Sequence, residues 1–376
     1  MSRLERYGHG GDRVTASELF GRDPHSFLDF SANIVPFGPP PSVKRALTEM
    51  MEMEGLPVIT QYPDPRSRRL KALLAERHNL TPTRIALGNG AAELIELILD
   101  VVQPSTVGIV YPAFSAYTSS AKKRNIEIVP LYGEEESHFL PPVERLCELV
   151  RKTDLIFLGY PNNPTGLRIA FNELKQVAEE AVRCQTVLVV DEAFLDFIPD
   201  GESMSLIGRI ESHPSVILLR SLTKFYALAG IRLGYAVASP KWVKRLEQRQ
   251  IPWSVNAVAQ VLGEAALQDQ EYEQKVRDWV QKARMSLRMR LSRIPELKVY
   301  PSETNYLLVR LEREGKTASW LQEHLGRQGI LIRNCADFPG LDERYFRVAV
   351  RTDEDHERLV KALQQCLEPT EEAASS

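Results

Sequence analysis

SVILLRSLTKFYALAGIRLGY, residues 215–235, runs a short apolar strand straight into a lysine. Val216, Ile217, Leu218 and Leu219 make a continuous apolar run of the kind a strand buried on both faces requires. Lys224 follows, with hydroxyls at Ser221 and Thr223 and a cation at Arg232. An ammonium in that position is either a solvated loop group or a chemical tool. Partial desolvation and a neighbouring arginine both disfavour the charged form, which frees a nucleophilic amine.

The same pattern, an apolar run ending in polar residues, recurs upstream. RIALGNG (84–90) precedes the helical AAELIELILDVV (91–102), and VGIVYP (107–112), DLIFLGY (154–160) and TVLVVDEAF (186–194) follow in turn. Strands alternating with helices predict an α/β fold, with a mostly parallel central sheet and helices on both faces. In such sheets ligands sit beyond the carboxyl ends of the strands. The polar residues of this chain fall there.

After RLGYAVAS (232–239) the pattern changes. PWSVNAVAQVLGEAALQD (252–269) leads into a long amphipathic stretch with Val276, Trp279, Val280, Ala283, Leu287 and Leu291 on one face. A smaller α+β domain is expected beyond it, with strands at NYLLVRL, ILIRN and YFRVAV and a final helix capped by Thr352. The expected division is an N-terminal segment, 1–48, packing with the small domain; a large domain, 49–255; and the small C-terminal domain, 256–376.

Composition narrows the function classes. The 376 residues are 43% hydrophobic and 26% charged with a net charge of −3, so no global field draws the chain to nucleic acid or an anionic membrane. The segment ahead of the glycine turn has no basic helix-turn-helix pattern, which argues against a DNA-binding sensor. Cys147, Cys184, Cys335 and Cys366 are scattered without a CxxC pair, so neither a metal site nor a disulfide framework is expected. With no apolar run long enough to span a bilayer and no signal-peptide core, a cytoplasmic location is expected.

Four strand-end signals carry the chemistry. The glycine turn at Gly90 and Ala91 opens a helix whose free amides favour a phosphate, although it also reads as an ordinary strand-to-helix turn. YPNNPTG (160–166) reads either as a turn or as asparagine donors at the sheet edge. Asp191 ends a buried strand, where it either caps the next segment or meets a cation or donor. Lys224, with Ser221, Thr223 and Arg232, is the fourth. One ligand uses all four: pyridoxal 5'-phosphate, with an aldehyde for the lysine, a ring nitrogen for the carboxylate, a phenolic oxygen for an amide, and a phosphate for the hydroxyl, arginine and glycine group.

At these residues the sequence resembles fold-type I pyridoxal phosphate enzymes of the histidinol-phosphate aminotransferase branch, over nearly the whole chain. The resemblance implies a homodimer, with Lys224 bonded to the cofactor, Asp191 on the ring nitrogen and Asn163 on the phenolic oxygen. It implies Gly90, Ala91, Ser221, Thr223 and Arg232 on the cofactor phosphate, Phe114 of YPAFSAY stacked on the ring, and Tyr62 of QYPDP reaching the neighbouring subunit's phosphate. Arg347 matches an arginine that grips the substrate carboxylate, and Arg333 one that binds a substrate phosphate.

Within that branch HGGD, LDFSANIVPFG, DEAFLDFIP, LRSLTKFYALAGIRLGY and FPGLDERYFRVAVRT resemble the threonine-phosphate decarboxylase group of cobalamin synthesis. That implies a phosphorylated amino acid as substrate and adds His9 to its phosphate contacts. Phe194 stands where the aminotransferases carry a tyrosine that bonds the phenolic oxygen, a departure shared with the decarboxylases. The expected activity is decarboxylation, with transamination as the alternative.

Overall fold

The computed structural model describes Leu4 and residues 10–368, so His9 lies outside the described residues. The strands are β1 (Leu28–Asp29), β2 (Ile85–Gly88), β3 (Thr106–Tyr111), β4 (Glu127–Tyr132), β5 (Leu155–Gly159), β6 (Val187–Asp191) and β7 (Val216–Ser221). They continue with β8 (Gly234–Ala238), β9 (Leu297–Val299), β10 (Tyr306–Leu311), β11 (Ile330–Leu331), β12 (Arg333–Asn334) and β13 (Tyr345–Ala349).

Seven of them form one sheet in the order β2-β8-β7-β6-β5-β3-β4. The pairs from β7 through β4 are parallel, and β8 runs antiparallel to both β7 and β2. The apolar runs are continuous because the sheet is covered on both faces. Val107, Ile109, Leu155, Phe157, Val187, Val189, Ile217 and Leu219 pack with the helices Ala91–Val102 and Pro240–Arg249. On the opposite face, a side chain on Gly108 would collide with Leu149 of the helix Val143–Lys152, so glycine there admits the covering helix.

β2, β3, β5, β6 and β7 therefore end at one edge, where β8 begins. Register fixes what meets there: Gly234 pairs with both Gly88 and Ser221, and Asp191 pairs with Gly159 and Leu219. Residues far apart in sequence thus become neighbours along a single sheet edge.

The chain divides into a large unit, 34–163 with 167–278, and a small unit, 1–33 with 164–166 and 279–376. The seams fall at 33/34 and 278/279, where the sequence reading put them at 48/49 and 255/256. The helix Ala257–Leu267 packs on Pro41–Glu52 and Arg68–Arg77, and Gly263 lets Leu233 and Leu70 approach its backbone. Glu273 then accepts from Arg77 at 2.7 Å and from the Tyr226 hydroxyl at 2.7 Å. A change of hydrophobic pattern marks where helices begin, whereas the packing partner decides which unit a helix joins.

In the small unit β12-β13-β10-β9 form an antiparallel sheet, and β1 pairs in parallel with β11. Its core gathers Phe30, Leu307, Val309, Leu325, Phe346, Val348 and Leu359 with Ala283, Leu287 and Leu291 of the long helix Gln270–Leu291. Thr352 caps the last helix, Asp353–Leu367, by accepting from the Asp355 amide. Among the described residues no helix is long and apolar enough to cross a membrane.

Candidate active site

Lys224 sits in a loop closed by its own backbone: Leu222 N donates to Leu233 O, Leu228 N to Thr223 O and Ala227 N to Lys224 O. Ala227 and Arg232 hold left-handed backbone, φ 52° and 58°, a conformation costly for non-glycine residues and one that gathers at functional sites. The ammonium of Lys224 donates to Ser221 Oγ at 3.2 Å and lies 5.5 Å from the centre of the Phe194 ring. The lysine is half-buried, and the strand end holds it against a hydroxyl and an aromatic ring.

Beside it the donors for a phosphate converge. Ser221 Oγ and Thr223 Oγ1 stand 2.7 Å apart, and the helix Ala91–Val102 opens at Gly90 with no side-chain cap on its first turn. Gly90 has φ 79°, a left-handed backbone that favours glycine, and a Cβ on it would stand 2.5 Å from Nη2 of Arg232, so the guanidinium lies close over the turn. A Cβ on Gly234 would fall 2.6 Å from the Ala91 amide nitrogen, which explains the second glycine of that row. Hydroxyls, an arginine and a helix N-terminus at one pair of glycines fit a phosphate dianion.

Asp191 is buried at the end of β6. Its Oδ1 accepts from the Ala193 amide at 3.0 Å and its Oδ2 from the Tyr117 hydroxyl at 2.6 Å. Phe114 is half-buried at the start of the helix Ser115–Lys123, edge-on to Tyr117. Asn163 is half-buried in the loop after β5, while its neighbour Asn162 donates to Pro112 O at 2.8 Å and so ties that loop to the one after β3. A carboxylate for a ring nitrogen, an aromatic ring, an amide, a lysine and a phosphate cradle along one sheet edge fit pyridoxal phosphate.

The structure does not bring Tyr62 into that edge. Its ring is 80% exposed and stacks on Trp253 with centroids 4.6 Å apart. Arg333 and Arg347 belong to the small unit, where they lie directly opposite each other on β12 and β13. Arg333 is 1% exposed and donates to Asp337 at 2.8 Å and to the carbonyl of Asn334. Arg347 is buried, donates to Ser31 O at 3.0 Å and lies over the Tyr306 ring. Burial, joined by the neighbouring Arg333 charge, lowers its pKa from the ordinary arginine value.

Three features were not read from the sequence. Tyr117 lies three residues beyond Phe114, at the end of YPAFSAY. Asn33, two residues beyond the carbonyl that Arg347 grips, is buried with no hydrogen-bond partner on Oδ1 among the described residues. Arg220, adjacent to Ser221, is buried among Glu192, Asp196 and Glu202. An arginine within the apolar run VILLR was a signal that a buried carboxylate must answer it.

The fold and the sheet-edge constellation define a pyridoxal phosphate enzyme, and the Aminotransferase class I and II family matches residues 25–363, so the chain belongs to that family. The chain is 40% identical, over 96% of each sequence, to a threonine-phosphate decarboxylase of Salmonella typhimurium. It is 33% identical to part of the adenosylcobalamin biosynthesis bifunctional protein CobDQ of Leptospira interrogans, matching 94% of this chain and 40% of that one. Among solved structures, histidinol-phosphate aminotransferase from Sinorhizobium meliloti in complex with pyridoxal-5'-phosphate aligns with TM-score 0.82 and 25% identity, over 96% of this chain and 95% of that one.

Proposed function

We propose that this chain is a pyridoxal phosphate-dependent carboxy-lyase that converts L-threonine O-3-phosphate to (R)-1-amino-2-propanol O-2-phosphate and carbon dioxide in cobalamin biosynthesis. The observation that carries the substrate class is the Arg333–Arg347 pair. Like charges directly opposed on neighbouring strands destabilise a sheet, and burial enlarges that cost. Asp337 answers Arg333 at 2.8 Å, so the substrate phosphate would join that carboxylate on Arg333 while the substrate carboxylate meets Arg347. Threonine phosphate brings a carboxylate for Arg347 and a phosphate for Arg333. The 40% identity to the Salmonella decarboxylase supports the same choice over histidinol-phosphate aminotransferases, which match at 32% and 33% identity.

Bound pyridoxal phosphate supplies an electron sink for the carbanion that carbon dioxide leaves behind. The chain's own residues do the rest. Ser221, Thr223, Arg232 and the amides at Gly90 and Ala91 hold the cofactor phosphate, Asp191 faces the ring nitrogen, Asn163 the phenolic oxygen, and Phe114 the ring. His9 joins Arg333 on the substrate phosphate. With the phosphate and carboxylate both held, Lys224 returns a proton to Cα once carbon dioxide has gone.

The reading includes a cytoplasmic homodimer in which Tyr62 serves the neighbouring subunit's cofactor phosphate. Its support is the exposed apolar set Leu47, Met51, Ile59, Tyr62, Ile251 and Trp253 in the large unit.

The test is carbon dioxide release from threonine phosphate by the purified enzyme. Carbon dioxide and aminopropanol phosphate are expected in equal amounts without 2-oxoglutarate, with one solvent deuteron at Cα in heavy water. A requirement for 2-oxoglutarate, with glutamate formed and the substrate carboxylate retained, would replace this reading by transamination. Lys224→Ala is expected to cost at least about a thousandfold in turnover, and its borohydride-stable label should vanish while the fold persists.

A further inference from the structure

Tyr117 touches two of the residues assigned to the cofactor, Asp191 and Phe114. Its hydroxyl donates to Asp191 Oδ2 at 2.6 Å across 74 residues of sequence. Its ring lies flat on Phe157, with centroids 4.7 Å apart and planes 2° from parallel, and meets Phe114 edge-on at 5.7 Å. The side chain is 2% exposed. A phenol clamped on its face and edge keeps little freedom beyond the turn of its O–H bond, and the carboxylate is what that bond finds.

Rotation about the last torsion of an aspartate is broad and weakly restrained. The Ala193 amide on Oδ1 is one tether, and the Tyr117 hydroxyl on Oδ2 is the second. Two tethers on different oxygens set the plane of the carboxylate. The same phenol packs against Phe114, so the acceptor and the stacking surface are referred to one rigid ring.

We infer that Tyr117 is a positioning residue for the ring-nitrogen side of the cofactor, holding Asp191 and Phe114 in one mutual geometry. The inference rests on the reading of Asp191 as the ring-nitrogen partner. Tyr117→Phe removes the hydroxyl and keeps both ring contacts.

The experiment titrates full-length apoprotein with pyridoxal phosphate and, separately, with its 1-deaza analogue, in which carbon replaces the ring nitrogen. Loss of one charge-assisted hydrogen bond is expected to raise the Kd of Tyr117→Phe for pyridoxal phosphate about tenfold. The Kd for the deaza analogue should stay as in the wild type, because no ring nitrogen is there for Asp191 to meet. Equal weakening for both cofactors, no weakening for either, or an apoprotein that melts far below the wild type would overturn the inference and leave Tyr117 a packing residue. Asp191→Ala separates the two readings. It should abolish the preference for pyridoxal phosphate over the deaza analogue, and if it keeps that preference the assignment of Asp191 fails. If Asp191→Ala loses the preference while Tyr117→Phe keeps it in full, only the role of Tyr117 fails.

Discussion

Arg220 in the large unit and Arg347 in the small one are both buried, yet their surroundings push them in opposite directions. Arg220 donates to Glu192 at 2.7 Å, to Asp196 at 3.1 Å and to Glu202 at 3.1 Å. Burial works against its charge, but Glu192 and the other carboxylates outweigh it and hold the guanidinium well above the ordinary pKa. Arg347 faces Arg333 across the ladder, and burial with that neighbour lowers its pKa instead. Where the chain supplies the counter-charges, a buried ion belongs to the scaffold. Arg347 instead has as its neighbour Arg333, itself bonded to Asp337 at 2.8 Å, and under the proposed function this pair meets the substrate's anionic groups.

Glu192 gives the scaffold side a further sign. Burial pushes its carboxyl up to about 7 against the pull of Arg220 and the Ser205 hydroxyl, which donates at 2.8 Å. Glu192 follows Asp191, and Arg220 precedes Ser221. The ion pair therefore pins the two strand ends that present Asp191 and Ser221.

The comparison breaks if the two arginines respond alike to the loss of their charge. Arg220→Met leaves Glu192 buried without its cation and is expected to destabilise the fold by about 3 to 5 kcal/mol, read from urea unfolding. Arg347→Met removes a like-charge contact together with the bond to Ser31 O, and is expected to lower the urea midpoint far less than Arg220→Met does. Its kcat/KM for threonine phosphate should nevertheless fall by roughly two orders of magnitude, from two charge-assisted bonds to a carboxylate. A drop in stability as large as that of Arg220→Met would place Arg347 in the scaffold.

Arg333→Met sharpens the small-unit side. The Michaelis constant for threonine phosphate should rise by roughly one to two orders of magnitude, while unphosphorylated threonine, a poor substrate for both forms, should show little of that change. An equal loss with both substrates would mean that the Arg333–Asp337 pair at 2.8 Å serves the fold alone.

His356 meets the same problem of burial by a route closed to arginine. It is fully buried in the small unit, its Nε2 accepts from the Arg351 amide at 2.9 Å, and burial lowers its pKa to about 4. The unfolded chain takes up this proton near pH 6.5 and the folded chain only near 4, so the unfolded state binds more protons between those values and stability falls as pH drops through that window. Between pH 7 and pH 5 this one group should cost about 2 kcal/mol. His356→Gln is expected to lose that part of the pH dependence in urea melts at the two pH values, and an unchanged difference between them would refute the assignment.

Much of the cofactor edge could be read from neighbours in the chain. The run VILLR before SLTK, the glycine turn before AAELIELIL and the aspartate closing TVLVVD are local patterns, because strand periodicity and turn chemistry are written within a few residues. The parallel order of the strands then placed those ends along one edge. The sequence by itself thus determined which side chains stand at the ends of the buried strands, and the class of ligand they fit.

Tertiary structure alone decided what those side chains meet. Register set Arg333 opposite Arg347, and long-range packing brought Tyr117 onto Asp191 and three carboxylates onto Arg220. It also drew the helix Ala257–Leu267 into the large unit, away from the seam that the change of pattern suggested. The reason is physical: a hydrogen bond or ion pair inside a protein depends on burial and on a separation of a few ångströms, and contacts between residues far apart in the chain leave no periodic trace for a local pattern to carry.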